Sequence, residues 1–187
     1  ICGAWGGRPN KDGIEGITNP SQNLSNTPVE TMESQHPVRV EEYGLVADSC
    51  GPGEYRGGLG LVRSYRLLAK EAGLQLRADR MKIRPYGLAG GGEAASSVNE
   101  IIDRTGKTIS LSSKINRPIN EGDVVRHIQP GGGGFGNPEN RAPDKVAYDV
   151  WNAKITAEYA LRHHKVVVDE ATGIIDEDAT EALRADN

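Results

Sequence analysis

The chain has 187 residues, 36% of them hydrophobic and 26% charged, with a formal net charge of −4, the profile of a folded globular protein rather than a disordered one. It lacks the clustered excess of Lys and Arg that a polyanion requires, so neither nucleic acid nor an anionic lipid surface is an expected partner. No stretch approaches the ~18 consecutive apolar residues of a membrane span, and a cytoplasmic protein is expected.

In chain order, residues 1–36 carry Gly3, Gly6, Gly7, Gly13 and Gly16 with Pro9, Pro20 and Pro28. They show neither a helical nor a two-residue apolar period. This irregular segment must be held by something else. It opens on Ile1 within a Gly-rich phrase, without the basic start and apolar stretch of a signal peptide, and is expected to continue an N-terminal portion that precedes it.

Residues 37–138 read as a β-rich domain. Short apolar sets recur at Val38/Val40, Leu61/Tyr65/Leu67, Leu74/Leu76/Ala78, Val98/Ile101, Ile109/Leu111 and Val124/Val125/Ile128, several of them alternating as strands do. Gly-rich turns separate them, at Gly51-Pro52-Gly53, Gly57-Gly58, Gly90-Gly91-Gly92, Thr105-Gly106-Lys107 and Asn120-Glu121-Gly122-Asp123. The spacing predicts about six mainly antiparallel strands. Residues 139–187 form a helical extension. Val146, Ala147, Val150 and Trp151 recur at helical spacing after Pro143, and Thr156 can cap a second helix. Val166–Val168 and Gly173–Ile175 then flank a hairpin-like turn, and Asp176 can cap a last short helix. The fold class is α+β, an antiparallel sheet region with Gly-rich loops followed by a helix pair and a hairpin and helix tail.

The run from Pro130 to Pro138 contains Gly131, Gly132, Gly133 and Gly134. A dinucleotide loop needs a helix starting at the glycines, which Asn137-Pro138 and Pro143 prevent, and no Lys-Ser/Thr follows to make a Walker loop. Bare backbone remains, able to approach a substrate, a neighbouring chain or its own sheet. Arg8 and Lys11 lie on a Gly- and Pro-restrained loop and could hold a carboxylate or phosphate; the alternative is a solvated turn. Arg77, Asp79 and Arg80 place alternate charges along a strand, which more often marks a solvated or ion-paired face than a site. The four His residues form no metal constellation, Cys2 and Cys50 have no CxxC spacing, and no GxSxG, HExxH or SxxK occurs. The main catalytic groups are expected to lie outside this chain.

The order of these segments carries more than any one of them. Gly6-Gly7-Arg8-Pro9-Asn10-Lys11-Asp12-Gly13 is followed by Asn26-Thr27-Pro28-Val29-Glu30, Pro37-Val38-Arg39-Val40 with Tyr43, and Gly53-Glu54-Tyr55-Arg56-Gly57-Gly58-Leu59-Gly60. Arg77-Ala78-Asp79-Arg80, Pro85-Tyr86-Gly87-Leu88-Ala89-Gly90-Gly91 and Pro130 to Pro138 complete the series. It resembles the C-terminal region of hydantoinase B/oxoprolinase subunits. The resemblance implies the C-terminal part of the B-type subunit of an ATP-dependent cyclic-amide hydrolase, opening a hydantoin or 5-oxoproline ring activated by an A-type ATP-binding partner. It also admits two alternatives, a subunit fragment of an acetone- or acetophenone-type carboxylase and a non-catalytic assembly module. The implied partners are the A-type subunit, the missing N-terminal portion and a small-molecule substrate. No cofactor is expected on this chain; ATP and Mg are expected on the A-type partner, and a divalent metal is possible in the missing N-terminal portion. The positions carried over as substrate- or phosphate-contacting candidates are Arg8, Lys11, Asp12, Asn26, Glu30, Arg77, Asp79, Arg80, Gly131, Gly132, Gly133 and Gly134. Phe135 is expected to anchor the glycine loop at an interface.

Overall fold

A computed structural model describes residues 3–18 and 24–185; Cys2 lies outside them. The order of elements is α1 (Val29–Gln35), β1 (Val38–Val46), β2 (Gly60–Leu67), β3 (Glu71–Arg77), β4 (Val98–Ile102), β5 (Thr108–Ser110), β6 (Lys114–Asn120), β7 (Val124–Ile128), α2 (Pro143–Trp151), α3 (Ala157–His164) and α4 (Glu177–Ala185). A five-stranded sheet runs β1-β2-β7-β4-β5, a two-stranded sheet pairs β3 with β6, and every named pairing is antiparallel. Among the described residues no helix is long and apolar enough to cross a membrane.

The strand pattern explains how the sheets meet. β3 alternates exposed Glu71, Gly73, Gln75 and Arg77 with half-buried Ala72, Leu74 and Leu76, one wet face and one dry. The dry face joins Ile115 and Ile119 of β6 in a cluster with Leu67, Ile101, Ile109, Leu111 and Val125 of the larger sheet region. β6 was not anticipated. Its Lys-Ile-Asn-Arg-Pro-Ile-Asn sequence has only two apolar positions and an internal Pro118, tolerated because β6 has a single neighbour and needs only one row of ladder donors. α1 likewise falls in a segment read as irregular. The strand reading of Arg77 to Arg80 is corrected as well: β3 ends at Arg77, and Arg80 takes a left-handed backbone with φ 61°.

The helical extension packs on the β region. Val146, Ala147 and Val150 of α2 and Tyr159 and Ala160 of α3 share one buried cluster with Cys50, Leu59, Ile155, Val166 and Val168. Thr156 caps α3 by accepting the Tyr159 N–H at 3.1 Å, Val168 pairs with Ile175, and Asp176 caps α4 by accepting the Ala179 N–H at 3.0 Å.

A second core contains almost no side chains. Gly132 donates its N–H to Gly58 O at 2.8 Å, Gly134 to Gly92 O at 3.0 Å, Gly51 to Gly132 O at 2.8 Å, Gly7 to Gly133 O at 2.8 Å and Leu88 to Gly134 O at 2.9 Å. Four segments, near residues 5–8, 51–58, 86–92 and 131–136, are thereby laced backbone to backbone. A Cβ added at Gly57 would sit 1.7 Å from Gly132 O, and one at Gly133 would sit 1.9 Å from Tyr86 O. Of the uses open to bare backbone, close approach to the chain's own loops is the one seen on these sides of the run. The N-terminal segment and the 130–138 loop thus meet, and Phe135, half-buried, exchanges backbone hydrogen bonds with Tyr55 at 2.9 and 3.0 Å.

Gly57→Ala and Gly133→Ala should each lower stability by about 3 kcal/mol or more, because a methyl group there overlaps fixed backbone. Gly73→Ala, at a position with nothing within 4 Å, should change it by no more than about 0.5 kcal/mol. Urea titrations of the three variants check the contrast.

Candidate functional site

Beside the glycine core lies a buried charge network. Arg8 and Lys11 close a tight turn through reciprocal backbone bonds of 2.9 and 3.3 Å, and the Arg8 guanidinium donates from Nη2 to Asp12 O at 3.1 Å. That turn presents the Asp12 carboxylate to Arg141, which donates to Oδ1 at 2.7 Å and Oδ2 at 2.9 Å, while the Arg56 N–H donates to Oδ1 at 3.0 Å. Arg141 also donates to Asp149 Oδ2 at 2.7 Å, and Arg56 donates to Asp149 Oδ1 at 3.0 Å and Glu15 Oε1 at 2.7 Å. Two guanidiniums and three carboxylates therefore join the N-terminal turn, the Gly53–Gly60 phrase and α2. Burial works against the Asp12 charge, but the hydrogen bond and charge of Arg141, with Arg56, outweigh it and hold the carboxyl below its ordinary range. Burial also works against the cations, yet Asp149 with Glu15 keeps Arg56 firmly protonated, and Asp12 with Asp149 does the same for Arg141. Arg56, Arg141 and Asp149 were not singled out from sequence. The one hint was an Arg set between Tyr55 and two glycines, where a bulky cation has no conformational role.

The candidate residues divide among several places. Gly131, Gly132, Gly133 and Gly134 floor an open basin of about 480 Å³ with Gly6 and Gly7, and Arg80, Pro85, Tyr86, Leu88 and Gln129 also line it. Arg80 stands on its edge and also lines, with Asp79, Lys82 and Ile83, a neighbouring depression of about 670 Å³. Arg77 pairs across to Lys114 and lines a separate hollow. Asn26 donates to the Tyr43 hydroxyl at 3.0 Å, and Glu30 is exposed in the first turn of α1. Arg8, Lys11 and Asp12 share one turn, and of the remaining charged candidates Arg80 alone reaches the glycine basin.

Among the described residues the basin's lining includes Arg80, Tyr86 and Gln129 and no Asp, Glu, His or Cys. The Gly132 and Gly134 amides are occupied by Gly58 O and Gly92 O, so they cannot also cradle a phosphate. Among the described residues no group of three His, Cys, Asp or Glu could hold a metal ion.

A separate cleft of about 730 Å³ is lined by Asp48, Cys50, Tyr159 and His163 among others. Burial pushes the Cys50 thiol up to about 11, which leaves no thiolate nucleophile at neutral pH. Asp48 accepts from both the N–H and the hydroxyl of Thr156, at 2.7 and 2.9 Å. His164, 1% exposed, uses Nδ1 on Pro138 O at 2.8 Å, and burial lowers its pKa to about 4 despite that bond.

An antiparallel sheet region whose connecting loops are laced by glycine backbone carries an open basin with Arg80 in its lining. The chain belongs to the hydantoinase B/oxoprolinase family, whose pattern it matches over residues 1–138. It is 35% identical over 184 residues to the B-type subunit of a putative D-/L-hydantoinase from Pseudomonas sp. (strain NS671), covering 97% of this chain and 31% of that protein. Its fold matches the crystal structure of the ATP-dependent caprolactamase from Pseudomonas jessenii with a TM-score of 0.84 and 28% identity, over 99% of this chain and 33% of that one. The nucleotide-free structure of an acetone carboxylase shares the fold, with a TM-score of 0.82 and 22% identity over 95% of this chain and 28% of that one. The chain thus spans about a third of the length of each of these proteins.

Two measurements check the buried charges. Asp149→Ala should cost about 3–5 kcal/mol in a urea titration, because it leaves two buried guanidiniums short of a counter-charge. His164 is neutral in the fold down to about pH 4, whereas the unfolded chain takes up this proton below its ordinary value of about 6.5. The unfolded state therefore binds more protons between these values, and stability falls as the pH drops through that window. The loss from this group should be on the order of 3 kcal/mol, and His164→Asn, which keeps a donor for Pro138 O without titrating, should remove most of it in melts from pH 7 to 4.

Proposed function

We propose that this chain is the C-terminal part of the B-type subunit of an ATP-dependent cyclic-amide hydrolase. The observation that carries the reading is the fold match along nearly the whole chain to an ATP-dependent caprolactamase, supported by 35% identity to the B-type subunit of a putative hydantoinase. The acetone carboxylase likeness, at 22% identity, is a likeness of fold and favours no chemistry. On this reading an A-type partner carrying ATP and Mg transfers a phosphoryl group to the amide oxygen of a hydantoin, 5-oxoproline or another lactam. The activated carbon then accepts water, phosphate leaves and the C–N bond opens. A divalent metal, if the assembly uses one, belongs on this reading to the part of the B-type subunit outside this chain.

The role left to these residues is to close and position. The Arg80 guanidinium supplies a charge-assisted donor to an anionic group beside the glycine floor, and the glycine backbone gives a substrate or an adjoining segment a surface without protruding side chains. Arg8 and Lys11 shape the turn that places Asp12, a supporting role.

An activity panel of hydantoin, 5-oxoproline and caprolactam with ATP tests the reading. The complete A/B complex should open at least one ring with stoichiometric ATP hydrolysis, and the 187 residues alone should open none. Within the complex, Arg80→Ala should lower kcat/KM by roughly 10- to 100-fold, the worth of one charged hydrogen bond, while the complex elutes unchanged. Carboxylation without ring opening, or full activity of Arg80→Ala, would count against it.

A further inference from the structure

Residues 80–88 form an exposed ridge between the two depressions that share Arg80. Ile83 is 75% exposed, Tyr86 65% and Leu88 56%, three large apolar side chains within six residues. Single exposed hydrophobics are ordinary on a protein surface, whereas three on one short stretch beside adjoining depressions suit a contact site. The same stretch carries Arg80, Lys82 and Arg84 with no acid between them, in a chain whose net charge is −4.

The ridge is held rigidly from below. Leu88 donates its N–H to Gly134 O at 2.9 Å, Gly136 returns one to Leu88 O at 3.0 Å, and Ala94 donates to Pro85 O at 3.0 Å. The backbone at Tyr86 lies so close to Gly133 that a Cβ there would be 1.9 Å from Tyr86 O. A backbone already fixed before binding loses little further freedom when it is covered, which favours docking.

Resting on the reading above, we propose that this basic, apolar ridge is the docking surface for the portion of the B-type subunit that lies outside this chain, and that it meets there an apolar patch bearing carboxylates. The length of the relatives supplies the occupant, since this chain spans 31% of the B-type hydantoinase subunit that it matches. The charge of the ridge sets the partner's chemistry. A second copy is a poor fit, because a two-fold contact through the ridge would bring Arg80, Lys82 and Arg84 of one copy against the same three of the other.

The test is a titration of the 187-residue chain against the remaining B-type portion, expressed separately. Ile83→Ser and Tyr86→Ala should each raise Kd about 30-fold or more, as loss of an interface anchor does. Arg84→Glu should slow association and flatten its salt dependence, and exposed Glu170→Ala should leave Kd unchanged. Thermal melts identify any variant that has unfolded, in which case Leu88→Ser replaces it. Unchanged affinity in the folded ridge variants would overturn the proposal. So would ridge-dependent dimerisation of the chain alone, or ridge-dependent binding to phosphatidylcholine/phosphatidylserine vesicles. The two readings fail separately: ridge-dependent binding without ring opening in the panel removes the hydrolase assignment only, and ring opening with unaffected binding removes the docking surface only.

Discussion

Backbone-to-backbone contact among glycines is the constraint on which the other features of the fold depend. Residues 131–134 are buried without a side chain among them; the Gly132 and Gly134 amides and the carbonyls of Gly132, Gly133 and Gly134 are answered by Gly58, Gly92, Gly51, Gly7 and Leu88 from three other parts of the sequence. Buried peptide groups must be paired. Pairing them in a sheet interior ordinarily leaves room for side chains on both faces, whereas here carbonyls such as Tyr86 O and Trp5 O stand where Cβ atoms would be. The segments can approach that closely only as glycine, and once they do, the N-terminal turn, the ridge at 80–88 and the start of β2 are fixed relative to one another.

The charge network follows from the same arrangement. A glycine core buries little apolar area, so it gains little from the hydrophobic effect. The adjoining Asp12, Arg56, Arg141 and Asp149 cross-link the same segments with directional, charge-assisted bonds. Such a network contributes specificity of placement more than net stability, because desolvation of the ions offsets much of their attraction. Its geometry decides where the Arg8–Lys11 turn sits against the glycine run, and thereby one wall of the basin.

The sequence was readable where periodicity speaks. β2, β3, β4 and β7 and the helix pair fall where apolar spacing placed them, and Thr156 and Asp176 cap the helices expected of them. It was silent on β6, whose apolar Ile115 and Ile119 are separated by Asn, Arg and Pro, and on α1, seven residues with no buried side chain. Among site residues, Asp12 was singled out as a substrate or phosphate contact, and the structure shows its carboxylate held by Arg141 and the Arg56 amide. Asp149 and Arg141 stayed invisible because their partners are distant in sequence and pattern reports only neighbours. The glycine run shows the limit most plainly: composition says that backbone must come close to something, and only the fold says to what.

For function, the same core moves attention from the glycines as a phosphate loop to the surface they support. On the proposed reading, this part of the assembly supplies a rigid, side-chain-poor wall at the basin and a place to dock at the ridge. The most direct check of the underlying claim is amide hydrogen exchange of the folded chain, followed at Gly132 and Gly134 with and without inorganic phosphate. The account predicts that both amides exchange only with global unfolding, as core hydrogen bonds do, and that phosphate leaves them unchanged. Exchange within minutes, or protection that appears only when phosphate is added, would contradict it.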